Sequence, residues 1–112
     1  MKNNKFTVSM NESVENVISK ILINSNKTVF VLKKNKILGT ISEGDILRCL
    51  LTKKNLKSPA YKIMNKSFKY VLIKKNIKQA KIIFKKFNIS ILPVIKKNFE
   101  LIDVITVKDV LD

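Results

Sequence analysis

The sequence is poor in the residue types that most enzymes use for catalysis. Its 112 residues include no histidine, one cysteine, two glycines and two prolines. Histidine and cysteine supply most nucleophile–base pairs and transition-metal ligands, and glycines build phosphate-binding loops. The sequence therefore predicts a chain that is not itself an enzyme and that requires no metal.

The single cysteine and the absence of long apolar runs indicate the compartment. Cys49 cannot form an internal disulfide, and it lies on the apolar side of a predicted helix, so we expect a buried, unreactive thiol. No apolar run is long enough to span a bilayer. Met1–Lys5 leads into no apolar stretch of the kind that a secretory signal has. These features predict a location in the reducing cytoplasm.

Acidic residues are also few, which leaves a formal net charge of +15. Such a charge suggests a nucleic-acid partner. However, Arg48 is the one arginine among 23 basic residues, and arginine is preferred for bidentate contacts with phosphates and bases. The lysines are scattered along the chain. Lysine has A/T-rich codons, so the base composition of the genome is sufficient to explain a high lysine content. We favour a solvated surface, with a charge-driven nucleic-acid-binding module as an alternative.

The stretch Ile37–Leu51 reads as a strand that runs into a helix. Ser42 stands at the predicted N-cap and Asp45 follows three residues later, which is a capping-box pattern. The next apolar residues follow at the spacing of one helix face: Ile46, Leu47, Leu50 and Leu51. Such a junction is either a helix cap alone or a site for an anion and a sugar.

The same junction occurs a second time, where Thr106 and Asp109 stand 64 residues after Ser42 and Asp45. Each copy reads strand, helix, strand, strand, helix, so the sequence contains an internal repeat of mixed α/β (α+β) structure. We place the first repeat at residues 1–57 and the second at 58–112. The last helix is short, and we expect that the chain is cut from a longer protein.

This order of elements, with Gly-h-h-Ser/Thr-x-x-Asp at the last junction of the first repeat, resembles the cystathionine-β-synthase (CBS) domain. Two copies in tandem resemble the CBS pair, or Bateman module, over essentially the whole chain. The resemblance implies two β-α-β-β-α repeats that are related by a pseudo-twofold axis and form one compact pair.

A narrower resemblance concerns Gly39–Arg48, followed by Ile63–Lys66. This combination is similar to CBS pairs fused ahead of bacterial sugar-phosphate nucleotidyltransferases, which commonly read Gly-Thr-h-Thr-Asp-Gly-Asp-h-Arg-Arg. Ser42, Glu43 and Leu47 depart from that pattern, whereas Arg48 matches the second arginine of the pattern. The resemblance implies a bacterial regulatory module that modulates an attached catalytic domain.

CBS pairs bind adenosine-containing ligands in clefts between their repeats, so the resemblance implies an adenine nucleotide (AMP, ADP or ATP) as regulatory ligand. The Asp of each motif would contact the ribose, the Ser or Thr a phosphate, and the backbone of the middle strand the adenine. Arg48 would either reach a phosphate or neutralise Asp45. By position, the implied site residues are Ser42, Asp45, Arg48 and Val29 in the first cleft, and Thr106, Asp109, Leu92 and Pro93 in the second.

The resemblance also implies a homodimer that forms through the motif helices. The apolar surface would come from Ile46, Leu50, Val110 and Leu111. A further alternative is a structural module whose clefts stay empty and whose role is to oligomerise the attached enzyme.

Overall fold

The computed structural model describes residues 4–52, 55–73 and 77–111. The chain divides into two compact units, Met1–Phe68 and Lys69–Asp112. Residues 58–68 therefore cluster with the first unit, although they follow the predicted end of the first sequence repeat. The boundary of the repeat itself stays a prediction.

The first unit is a three-stranded sheet with two helices. Its elements are β1 (Thr7–Ser9), α1 (Val14–Ile23), β2 (Thr28–Lys33), β3 (Lys36–Ser42) and α2 (Glu43–Leu51). The strand order is β1-β2-β3, with β1 parallel and β3 antiparallel to β2. α1 begins after Ser13, whose side chain accepts a hydrogen bond from the Asn16 backbone N–H. A capped helix thus connects the two parallel strands.

A two-residue turn joins β2 to β3. Lys34 and Asn35 have φ angles of 50° and 68°. Positive φ at both central residues is what a tight hairpin turn requires, and asparagine tolerates it better than most residues. The turn sets β3 beside β2, so that Thr28 pairs with Ser42.

One apolar cluster holds the first unit together. It combines one face of α1, alternate residues of the sheet and the inner face of α2: Val8, Val14, Val17, Ile21, Val29, Val31, Ile41, Ile46, Cys49 and Ala60. Cys49 is 3% exposed, which confirms the predicted burial of its thiol. α2 is therefore anchored by its inner face, while its first turn stays at the surface.

After α2, the chain returns along the edge of β3. A 3₁₀ turn at Ala60–Lys62 precedes a bridge in which Thr40 and Asn65 exchange backbone hydrogen bonds of 3.0 and 2.7 Å. The returning segment approaches β3 so closely that a Cβ atom at Gly39 would lie 2.8 Å from both the Asn65 carbonyl oxygen and Met64 Cγ. Only a glycine leaves room for this contact.

The second unit has the same topology. It contains β4 (Val71–Leu72), α3 (Ile77–Phe87), β5 (Ile91–Ile95), β6 (Leu101–Thr106) and a final 3₁₀ turn, Val107–Val110. β4 is parallel and β6 antiparallel to the central β5. The predicted order of strand, helix, strand, strand, helix is confirmed in each unit, except that the last helix is a four-residue 3₁₀ turn.

Pro93 lies in the central strand β5, where a missing backbone donor would disrupt a sheet. β4 is so short that it pairs with only Val94 and Ile95, and Pro93 pairs with Val104 of β6 alone. The core beneath this sheet consists of Val71, Ala80, Phe84, Leu92 and Val110. In the part of the chain that the structure describes, no helix is long and apolar enough to cross a membrane.

Candidate functional site

The first junction is a complete capping box, as the sequence predicts. The Ser42 hydroxyl oxygen accepts a hydrogen bond of 3.3 Å from the Asp45 backbone N–H. In return, Oδ2 of Asp45 accepts hydrogen bonds from the Ser42 backbone N–H at 2.9 Å and from the Ser42 hydroxyl at 3.1 Å. Because three hydrogen bonds link the two residues, the carboxylate is held in one orientation at the start of α2.

The backbone donors of the first turn of α2 are also partly engaged. The Glu43 N–H donates to the Lys27 carbonyl oxygen at 3.0 Å, and that of Asp45 donates to Ser42. Gly44 leaves space between them, since a Cβ atom there would be no closer than 3.7 Å to the nearest atoms, Arg48 Nη1 and Ser42 Oγ. A ligand phosphate would therefore meet a helix start that is already partly hydrogen-bonded.

Arg48 forms an ion pair with Asp45, one turn earlier on the same helix. Its Nη2 contacts Oδ1 of the carboxylate, which is the oxygen that Ser42 does not use. The Arg48 side chain is 71% exposed, whereas that of Asp45 is only 13% exposed. The sequence left two roles open for Arg48, and in the structure Arg48 neutralises Asp45.

A cleft of about 310 Å³ opens beside this ion pair, and we call it the α2 cleft. It is lined by Asp45, Arg48, Cys49, Thr52, Lys62, Ile63 and Met64. Its volume is at the lower end of the range for small-molecule sites. Arg48 and Lys62 bring positive charge from two different elements, and Ile63 and Met64 add apolar surface. The cleft thus offers a carboxylate, two cations and an apolar wall within the first unit.

Sequence reasoning missed Lys62 and Thr52 as candidate site residues. Ile63 and Met64 had a signal, because they belong to the narrower family resemblance together with Gly39–Arg48, but that resemblance gave them no role at the site of Asp45. The link is the backbone bridge between Thr40 and Asn65, which joins residues far apart in the chain. No local sequence pattern predicts such a long-range contact.

Val29 lies close to the first junction, as predicted. It pairs with Ile41 in the sheet, next to the pair formed by Thr28 and Ser42. Its side chain is fully buried. Because the whole residue has no exposed surface, the role that the resemblance implies for the Val29 backbone stays a prediction.

The second junction repeats the capping geometry. The Thr106 hydroxyl accepts a 3.3 Å hydrogen bond from the Asp109 N–H, and Oδ2 of Asp109 accepts one of 2.8 Å from the Thr106 N–H. The Val107 N–H donates to the Ser90 carbonyl oxygen at 2.9 Å, in the same way as Glu43 and Lys27 in the first unit. The repeat in sequence is thus a repeat in hydrogen bonding.

The two junctions differ in two respects. Thr106 begins a four-residue 3₁₀ turn, so the helix dipole that an α-helix would supply at this junction is missing. Among the ion pairs of the described residues, none involves Asp109.

Leu92 and Pro93, the other predicted residues of the second site, are fully buried in β5. Ile91, just before them, pairs with Thr106. The structure therefore brings the four predicted residues of each unit together within that unit. In the described residues, no group of three or more His, Cys, Asp or Glu side chains could hold a metal ion.

Comparisons with known proteins agree with the fold. The family model for the CBS domain matches twice, at residues 1–52 and 60–112. No curated protein sequence matches the chain.

Solved structures of the same fold include three with bound adenosine compounds. CBS domain protein PAE2072 from Pyrobaculum aerophilum, complexed with AMP, is 24% identical, with a TM-score of 0.76 over 92% of this chain and 80% of that one. The cytosolic domain of the Mg²⁺ channel MgtE in complex with ATP is 20% identical, with a TM-score of 0.76 over 95% and 43%. The CBS domain pair of protein MJ0100, in complex with 5′-methylthioadenosine and S-adenosyl-L-methionine, is 20% identical, with a TM-score of 0.75 over 94% and 83%. With the family model matched twice, this chain belongs to the CBS domain family and is a tandem CBS pair.

Proposed function

We propose that this CBS pair binds an adenine nucleotide at its first junction and thereby regulates an attached catalytic domain. The observation that carries the proposal is the Asp45 carboxylate, which Ser42 holds in place at the edge of the α2 cleft. The chain itself acts as a ligand sensor and performs no chemical step.

The groups around the α2 cleft match the parts of a nucleotide. The two vicinal hydroxyls of a ribose donate well to a carboxylate, and such charge-assisted hydrogen bonds are strong. Ile63 and Met64 offer apolar surface to a base. Arg48 and Lys62 offer positive charge to a phosphate.

The structural neighbours support adenosine as the common part of the ligand. AMP, ATP, 5′-methylthioadenosine and S-adenosyl-L-methionine are named in their complexes, and all four contain adenine joined to a ribose with free 2′ and 3′ hydroxyls. Their identities of 20 to 24% are too low to carry over individual contacts. The choice of AMP, ADP or ATP for this chain therefore rests on the cations of the α2 cleft.

The second junction is a further candidate for the same ligand class. Thr106 orients the Asp109 carboxylate as Ser42 orients Asp45, and Leu92 and Pro93 lie on the neighbouring strand. We rank it below the first junction because its 3₁₀ turn lacks a helix dipole.

The regulated partner is part of the proposal and rests on sequence alone. Gly39–Arg48 resembles the CBS pairs fused to bacterial sugar-phosphate nucleotidyltransferases, so we take that class of enzyme as the attached domain and the bacterial cytoplasm as its location. Ligand binding regulates such an enzyme only if it favours one conformation of the pair over another.

Thermal denaturation with a panel of ligands tests the proposal. We expect AMP, ADP or ATP at about 1 mM to raise the melting temperature by several degrees, because a ligand at about 100 times its Kd adds about 2.7 kcal/mol to the free energy of unfolding. S-adenosylmethionine and a repeat in high salt complete the panel, since nonspecific binding to lysines is lost in salt. If no adenosine compound raises the melting temperature at physiological salt, the chain is a structural module with empty clefts.

We also propose that the chain forms a homodimer through α2. Ile46 and Val110, which sequence reasoning assigned to the dimer surface, are buried in their own units, so that assignment was wrong. The exposed apolar side chains of α2 are Leu47, Leu50 and Leu51, and Leu111 is also exposed. A twofold contact of one α2 face with its copy would cover the three leucines of α2.

Sedimentation velocity at about 50 µM protein tests the dimer, because an association with micromolar Kd is populated there. We expect the wild type to sediment as a dimer and Leu51→Glu as a monomer, since burying a charge in an apolar contact is costly. Leu22→Glu on α1 is the matched control, because Leu22 is similarly exposed, and it should stay dimeric. A monomeric wild type, or equal effects of both substitutions, would contradict this surface.

A further inference from the structure

The ion pair between Arg48 and Asp45 occupies the atom that a ribose would need. Oδ2 of Asp45 already accepts two hydrogen bonds from Ser42, and Oδ1 accepts from Arg48. If the proposed function holds, a ligand that uses Asp45 as its ribose acceptor must compete with the guanidinium group for Oδ1.

Arg48 is placed so that it can leave Asp45 easily. Its side chain is 71% exposed, and exposed ion pairs within a helix are weak. It also lies over the open space at Gly44, with Nη1 3.7 Å from the position of a Cβ atom there, so it is already close to the first turn of α2. A small rotation of the side chain would free the carboxylate and leave the guanidinium at the edge of the cleft.

We infer that Arg48 determines specificity at the first junction. When a phosphorylated nucleoside binds, the guanidinium group leaves Asp45, which then accepts from the ribose, and forms an ion pair with the phosphate of the same ligand. A phosphorylated nucleoside offers the guanidinium a new anionic partner, and Lys62 lines the same cleft. A nucleoside without phosphate must break the ion pair between Arg48 and Asp45 and offers Arg48 no new anionic partner. The site therefore selects AMP over adenosine analogues that lack phosphate.

The second junction does not share this device. At the repeat offset of 64 residues, Arg48 corresponds to Asp112, which has the opposite charge. The selectivity should therefore belong to the first junction, and Asp109→Ala provides a background in which only that junction binds.

Calorimetric titrations in the Asp109→Ala background test the inference with AMP and 5′-methylthioadenosine, which share adenine and the ribose 2′ and 3′ hydroxyls but carry a phosphate and a methylthio group, respectively, at the 5′ carbon. With Arg48 intact we expect tighter binding of AMP. Arg48→Ala should tighten 5′-methylthioadenosine about threefold by releasing Asp45, and should weaken AMP about tenfold or more through the lost charge-assisted contact. The selectivity for AMP would then fall about thirtyfold, and Arg48→Lys should restore part of it.

Three outcomes overturn the inference. If Arg48→Ala weakens both ligands equally, Arg48 only holds Asp45 in position. If Arg48→Ala changes neither affinity, Arg48 takes no part in recognition, although the proposed function stands. If the protein with Arg48 intact binds neither ligand, the proposed function fails, and this inference fails with it. Melting temperatures of the variants without ligand show whether each one is folded.

Discussion

Gly39→Ala should lower the free energy of unfolding by about 2–3 kcal/mol, which is large for the addition of one methyl group. The new Cβ would lie 2.8 Å from the Asn65 carbonyl oxygen and from Met64 Cγ. Met64 has a flexible side chain, but the Asn65 oxygen belongs to the backbone and is held by the bridge to Thr40. Overpacking of this kind costs about 1–3 kcal/mol, and each weakened backbone hydrogen bond adds about 1 kcal/mol.

Gly44→Ala is the matched control for this prediction. Its new Cβ would meet no atom closer than 3.7 Å, and glycine within a helix is about 0.5–1 kcal/mol less favourable than alanine. We therefore expect Gly44→Ala to leave the midpoint of urea denaturation unchanged or slightly raised, while Gly39→Ala lowers it. Equal midpoints for the two variants would show that the segment at Asn65 does not rest on β3.

Asp45→Ala should abolish nucleotide binding at the first junction while it costs little stability. The substitution removes the capping box, worth about 1 kcal/mol, and the proposed acceptor for both ribose hydroxyls. Each charge-assisted hydrogen bond lost to the ligand is worth about 1.5–3 kcal/mol. Calorimetry in the Asp109→Ala background, where only the first junction binds, should therefore show at least about a hundredfold loss of affinity for AMP.

Ser13→Ala separates the loss of a cap from the loss of a ligand contact. Ser13 caps α1 by accepting a 3.2 Å hydrogen bond from the Asn16 N–H, and its loss should cost about the same stability as the loss of the Asp45 cap. We expect Ser13→Ala to bind AMP as the wild type does. If both variants lose affinity to the same extent, stability and not recognition explains the effect, and the role assigned to Asp45 is wrong.

The two junctions could be predicted from the sequence because their physics is local. A capping box needs only a hydroxyl and a carboxylate three residues apart, and Ser42 with Asp45 and Thr106 with Asp109 form it in the structure. The succession of strands and helices along each repeat is an equally local consequence of the apolar pattern.

What the sequence could not show depends on contacts between distant residues. The α2 cleft exists because the segment at Lys62–Met64 returns along β3, and nothing near Asp45 in the sequence indicates this. Helical spacing placed Ile46 on an apolar face but did not tell whether that face is a core or an interface. The last element also differs, since Thr-x-x-Asp fits the first turn of an α-helix and a short 3₁₀ turn equally well.

Titration of the ¹⁵N-labelled protein with AMP, followed by two-dimensional ¹⁵N–¹H NMR at physiological salt, tests the central claim most directly. Nucleotide binding at the first junction predicts saturable shifts of the backbone amides in Ser42–Arg48 and Lys62–Met64. The amides of the lysine-rich helix α3 should not move. Absence of any shift at millimolar AMP, or shifts confined to α3 that disappear when salt is raised, would contradict it.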